Sequence, residues 1–219
     1  MTGPELTASR PAIAACGRYV HLVWVDKRSA GQKPPWDWDI FYKRSTDGGV
    51  TWEADIRMTD TPWHTRHPQI GALPNGRVCC LWEDGTSWDG RTSGGWSGDG
   101  ALYAALSADN GTSWTAAKRF TFVNSPRGRA THAKSFAAGS RIFVVWTDAL
   151  EGCSEEPISA WAAYFCSSAD GGLTWGPAER LAAQRHGDWA AHAVAGTDSA
   201  AIVLLGVGAS IHVASRQGP

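Results

Sequence analysis

Tyrosine is scarce in this chain, with four among 219 residues, and methionine scarcer still, with two. Neither sign of charge dominates: 20 Lys and Arg stand against 21 Asp and Glu, a formal net charge of −1. Without a basic footprint, nucleic acid and anionic membrane surfaces are not expected partners. No segment is apolar for as long as a membrane-spanning helix requires. The opening Met1-Thr2-Gly3-Pro4-Glu5-Leu6-Thr7 shows neither the charged leader nor the apolar core of a signal peptide, so a soluble protein is expected. Five cysteines (Cys16, Cys79, Cys80, Cys153 and Cys166) form an odd set without CxxC spacing, and three of them fall inside apolar runs. They read as buried free thiols, which favours a reducing compartment such as the cytoplasm. No cofactor or metal is expected.

What the chain has in excess is tryptophan, 13 in all, and a repeated octapeptide. Ser45-Thr46-Asp47-Gly48-Gly49-Val50-Thr51-Trp52 returns as Ser107-Ala108-Asp109-Asn110-Gly111-Thr112-Ser113-Trp114 and as Ser168-Ala169-Asp170-Gly171-Gly172-Leu173-Thr174-Trp175. A period of 61 to 62 residues makes the chain an array of one unit. Ser and Asp bond turn amides, a Gly supplies positive φ, and Trp closes the turn over an apolar surface. Each octapeptide therefore reads as a hairpin turn, with Ser45, Asp47, Gly49, Trp52 and their equivalents in structural roles. The pattern resembles the Asp-box, or BNR repeat, of sialidases and related β-propellers. That resemblance implies a turn between the third and fourth strands of a blade, on the side away from a ligand site.

Upstream of each box the same order recurs: a short strand, a Gly turn, an apolar strand ending in Trp and an acid, a long polar loop and another strand. The second strands are predicted at 19–26, 78–84 and 142–148, the third at 39–44, 101–106 and 162–167, and a fourth at 177–181. Their continuous apolar, β-branched character suits strands covered on both faces, as in stacked blades. The C-terminal stretch repeats three strands at 192–194, 201–205 and 211–215, and Gly3-Pro4-Glu5-Leu6-Thr7 resembles Gly176-Pro177-Ala178-Glu179-Arg180-Leu181. The expectation is all-β: one β-propeller domain of four-stranded antiparallel blades over 1–219. Its blades would span 8–60, 61–123, 124–183 and 184–219 with 1–7, the N-terminal strand closing the last and removing exposed sheet edges. The sialidase family has six blades, so a fragment of a larger ring, or two chains completing one ring as a homo-oligomer, are the alternatives.

Counting back from the strand-end Trp, Arg10, His67, His132 and His192 fall at one equivalent position at the start of each innermost strand. Arg66 adjoins the second, and Asp84 and Asp148 follow strand Trp residues by two. These side chains can bind an anion or polar ligand at the mouth of a central channel, or pin adjacent blades together. Arg10 lies where the resemblance places a carboxylate-binding arginine, within Ser9-Arg10-Pro11. Arg28 beside Asp26 reads as an ion pair of the blade or as part of that mouth. Seven Trp lie outside boxes and strand ends; Trp36, Trp63, Trp88 and Trp189 are expected on the ligand face, where indoles stack on sugars, and Trp38 and Trp161 against the core.

A sialidase, by the resemblance, needs a Tyr nucleophile, yet Tyr19, Tyr42, Tyr103 and Tyr164 all fall in strand bodies or at a strand start. A glycan or a small polar or anionic ligand is therefore the expected partner of a module without usual sialidase catalysis. The alternatives are a glycoside hydrolase, either sialidase-like or using two carboxylates among Glu83, Asp84, Asp148 and Asp188, and a structural or protein-docking propeller.

Overall fold

A computed structural model describes residues 8–28, 38–61, 65–85, 101–120, 130–149, 160–185, 192–197, 199–207 and 210–217. Its elements are strands. The first sheet runs in the order β1 (Ser9–Cys16), β2 (Tyr19–Asp26), β3 (Asp39–Ser45) and β4 (Ile56–Arg57), and the second in the order β5 (Thr65–Ala72), β6 (Val78–Asp84), β7 (Ala101–Ser107) and β8 (Lys118–Arg119). The third holds β9 (Thr131–Ala138), β10 (Arg141–Ala149), β11 (Ala160–Ser168) and β12 (Glu179–Arg185), and the fourth β13 (His192–Gly196), β14 (Ala200–Val207) and β15 (Ser210–Gln217). Every pairing is antiparallel between strands consecutive in sequence. The protein is an all-β propeller of four such blades, as the repeats predict. Residues 1–7, expected to complete the fourth blade, lie outside the described residues.

The innermost strands set the order of the blades: β1 packs on β5, β5 on β9 and β9 on β13. Side chains alternate across each second strand, so one blade serves two interfaces. Val23 and Val25 of β2 meet Cys80 and Trp82 of β6; on the other face of β6, Cys79 and Leu81 meet Ile142, Val144 and Trp146 of β10. Phe143 and Val145 then meet Ala201 and Val203 of β14. This explains the unbroken apolar runs, since β6 is buried along its whole length. Each fully buried aliphatic side chain contributes about 1.5–3 kcal/mol of transfer free energy. Cys79, Cys80 and Cys166 are buried free thiols, and burial pushes that of Cys79 up to about 12.

The three octapeptides form superimposable turns. In each, the Ser hydroxyl donates to the Asp carboxylate at 2.7–2.8 Å and accepts from the second Gly amide at 2.7–2.8 Å. The Asp then accepts both the amide and the hydroxyl of Thr51, Ser113 or Thr174. The turn is latched to the first hairpin of its own blade, by Gly48 N–H to the Arg18 carbonyl, Asn110 N–H to that of Gly76 and Gly171 N–H to that of Ser140. The boxes therefore occupy the end of the propeller opposite the strand starts of β1, β5 and β9. Trp114 packs edge-on to Tyr42 of the preceding blade, with ring centroids 4.9 Å apart, and Trp175 to Phe120 at 4.6 Å.

Candidate functional site

Arg10, His67 and His132 share a conformation rare for residues with a Cβ: their φ angles are 52°, 48° and 54°. At each, the pairing of the innermost strand with its neighbour slips, between Ser9 and Ala12, between Arg66 and Gln69, and opposite Val145 and Thr147. The strands β1, β5 and β9 thus each open on a bulge that turns one side chain out of the sheet. Holding a non-glycine residue there costs about 1–3 kcal/mol, and such strain gathers where the surrounding fold enforces it. Because β1, β5 and β9 are adjacent, the three bulges lie at one end of the inner strands, the end at which the second strands finish and the third begin.

The His67 and His132 rings stack with centroids 5.3 Å apart. Beneath them lies Glu83, 2% exposed. One carboxylate oxygen accepts His67 Nδ1 at 2.8 Å and the His132 backbone N–H at 2.6 Å; the other accepts the Thr131 hydroxyl at 3.0 Å and faces Arg66 Nε at 3.3 Å. Burial pushes the carboxyl up, but the His67 bond and charge, with Arg66 and the His132 amide, outweigh it and keep Glu83 below the usual carboxylate range. Burial against its neighbours lowers the His132 imidazole; Glu83 opposes, while the like charges of His67, Arg66 and Lys134 add to the lowering. Blades 2 and 3 are therefore tied by one ionised carboxylate, which leaves His132 exposed and His67 half-buried above it. Among the described residues no group of three or more His, Cys, Asp or Glu is placed to hold a metal ion.

The remaining predicted site residues separate. Arg10 is exposed at its bulge and Arg66 half-buried beside Glu83. Arg28 is 42% exposed but engaged, 2.5 Å from Asp26 and 2.6 Å from Asp55, with its guanidinium 4.6 Å from the Phe41 ring. Asp84, 3% exposed, ends β6, and Asp148, 0% exposed, stands one residue before the end of β10. His192 opens β13 and pairs with Leu205 without the register slip of the other three innermost strands. Trp36, Trp63, Trp88 and Trp189, like Asp188, lie outside the described residues. Trp38 packs against the interface of blades 1 and 2 with Lys27 4.4 Å from its ring, and Trp161 pairs with Gln184 in the third sheet.

Tyrosine is in the positions the sequence assigns it. Tyr42 is fully buried and bonded to His21 Nδ1 at 2.8 Å; Tyr164 is 7% exposed, and Tyr103 and Tyr19 lie within β7 and β2. Burial and Arg44 lower the His21 imidazole to about 4, so this pair is a neutral core contact. Counting repeats marks the three bulge positions; the role of Glu83, one of the acids expected at the mouth, needs the fold, because its partners in blade 3 lie 48 and 49 residues away.

No family model matches this sequence, and neither does any curated protein. Solved structures do share the fold. A Hadza microbial sialidase superposes with a TM-score of 0.67 at 14% identity, over 96% of this chain and 44% of its own. The α-L-arabinanase of Penicillium chrysogenum complexed with arabinobiose gives 0.59 at 14% identity, over 94% of this chain and 61% of its own. Trypanosoma rangeli sialidase in complex with sialic acid gives 0.59 at 14%, over 96% and 36%. The fold is that of the sialidase-like β-propellers. The chain spans less than half of the first sialidase and less than two thirds of the arabinanase. Among the described residues no helix is long and apolar enough to cross a membrane.

Proposed function

We propose that this chain is an Asp-box repeat propeller, one domain over 1–219, that binds a glycan at the bulged end of its channel and does not carry the usual sialidase catalysis. The observation that supports this reading most is the triple recurrence of positive φ at Arg10, His67 and His132, which sets cation-capable side chains side by side at one mouth. Arg66 adds a guanidinium there, and the sequence segments that follow Arg28 and Gly85 hold Trp36 and Trp88. Sugar hydroxyls and carboxylates are partners for such donors, and indoles for sugar C–H faces. The four Tyr, all within strands, speak against a Tyr nucleophile.

The test is saturation-transfer NMR of the purified chain with sialyllactose and neutral oligosaccharides, including arabinobiose, while anomeric signals are followed for cleavage. Transfer without new anomeric signals is expected. Arg10→Ala and His132→Ala should each weaken binding about tenfold or more, the worth of a hydrogen bond to a charged group, with an unchanged melting curve. Released sugar overturns the non-catalytic reading, and silence in both signals overturns glycan binding.

A further inference from the structure

The three internal interfaces obey one rule, and two blade faces have what the rule needs but not what it meets. On the forward side of each interface stand alternate side chains of a second strand: Val23 and Val25 of blade 1, Cys79 and Leu81 of blade 2, Phe143 and Val145 of blade 3, all 0% exposed. On the receiving side stand the inner-strand apolar residue, such as Ile70 at 7% exposed, and, in blades 2 and 3, the box of that blade. Those boxes fit closely. A Cβ on Gly111 would come within 1.8 Å of the Tyr42 hydroxyl of blade 1, and one on Gly172 within 2.8 Å of Leu106 Cδ2 of blade 2.

Blade 4 presents the forward side again, but there Ile202 is 49% and Leu204 40% exposed. Blade 1 presents the receiving side again, and there Ile13 is 64% and Trp52 38% exposed. A Cβ on Gly48 or Gly49 would meet nothing within 4 Å. Trp52 is the repeat equivalent of Trp114 and Trp175, each of which has a ring of the preceding blade against it. Among the described residues, the packing that joins β1 to β5, β5 to β9 and β9 to β13 has no counterpart between β13 and β1.

We propose that these two faces are the halves of a fourth interface of the same kind, formed between two copies of this chain, with blade 4 of one copy seated on blade 1 of the other. Every copy carries both halves, and each half already has a working counterpart inside the molecule. The centre of the receiving face is not bare: Arg28 and Lys43 lie over the Trp24 and Phe41 rings and pair with Asp55. This layer keeps Trp24 at 8% and Phe41 at 6% exposed in the single chain and leaves Ile13 and Trp52 as the apolar rim that a partner blade covers. Such a contact is heterologous, because the surface used by one copy differs from that used by the other, and it closes as a ring or continues as an array according to its rotation.

Light scattering of the full chain across a wide range of concentration tests this. The mass should rise from 23.4 kDa toward multiples of it. The double variant Ile202→Glu with Leu204→Glu and the single variant Ile13→Glu should each remain at the single-chain mass. All three positions are exposed, so both proteins should retain the parent's melting temperature and tryptophan spectrum. The deciding step is to mix them: the first keeps a sound blade 1 and the second a sound blade 4, so a two-chain species should return in the mixture alone. A parent that stays at 23.4 kDa throughout overturns the proposal and assigns the seam to closure within one chain or to a different partner. Association that survives either variant, or a mixture that stays dissociated, overturns it as well.

Discussion

Replacing Glu83 by alanine removes a carboxylate that blades 2 and 3 share. The side chain is 2% exposed and has four donors around it at 2.6–3.3 Å: His67 Nδ1, the His132 amide, the Thr131 hydroxyl and Arg66 Nε. Breaking a buried charged network from one side costs about 3–5 kcal/mol, because the partners stay desolvated without an acceptor. For a domain of this size each kcal/mol lowers the melting temperature by about 2–4 °C, so Glu83→Ala should melt roughly 6–20 °C below the parent. Glu83→Gln keeps one acceptor oxygen and turns an amide NH₂ toward donors, so its loss should be smaller, about the 1.5–3 kcal/mol of one hydrogen bond to a charged group. His67→Ala should cost least, since Glu83 then retains Arg66, Thr131 and the His132 amide. The assay is urea unfolding followed by tryptophan fluorescence, with the midpoint and slope read separately so that a change in the denatured state is recognised. An alanine variant within about 1 kcal/mol of the parent, below the range for breaking a buried pair, would refute the view that this carboxylate ties the blades. So would a His67→Ala loss as large as that of Glu83→Ala.

Gly111→Ala combines a left-handed φ of +79° with a Cβ 1.8 Å from the Tyr42 hydroxyl, whereas Gly17→Ala, at φ +58°, meets nothing within 4 Å. Backbone strain alone costs about 1–2 kcal/mol and overpacking about 1–3 more, so denaturant midpoints should place Gly111→Ala clearly below Gly17→Ala. Acid should weaken the box turns in a defined window. Bonds from Ser113 hold the Asp109 carboxyl at about 2, and Asp170 is held at about 2 although burial pushes it up, because Thr174 and Ser168 donate to it; both stand below the ordinary 3.8. The native state thus binds fewer protons than the unfolded one, and the stability from these turns is present above about pH 3.8 and lost as pH falls through 2. Thermal melts of Asp109→Asn with Asp170→Asn should lose less than the parent between those limits; equal loss would place the acid sensitivity elsewhere.

How much of this was legible in the sequence depended on the distance between partners. The box turns close within eight residues, and their Ser, Asp and Gly each do locally what their chemistry prescribes, so all three could be read directly. The second strands were legible because both faces are covered, and 19–26 and 78–84 match β2 and β6 residue for residue. The strand after the third box begins at Glu179 rather than Pro177, since proline has no amide to give to the ladder. Arg10, His67 and His132 were found by counting repeats, but the backbone strain that unites them has no signature in residue type. Glu83 was the hardest to read. An acid beside Trp82 looks like its neighbour Asp84, and only the placement of blade 3 makes it a shared anchor instead of a surface carboxylate.

Within every sheet each strand pairs with the next one along the chain. A pattern of consecutive hairpins keeps loop closures short, and short closures favour rapid formation of each blade as a unit. On the ribosome the first blade can therefore assemble before the third has been synthesised, and the second then has a finished surface to form upon. Gly111 enters the space beside Tyr42 only at that later moment, so the order of synthesis is also the order in which the molecule acquires its joints.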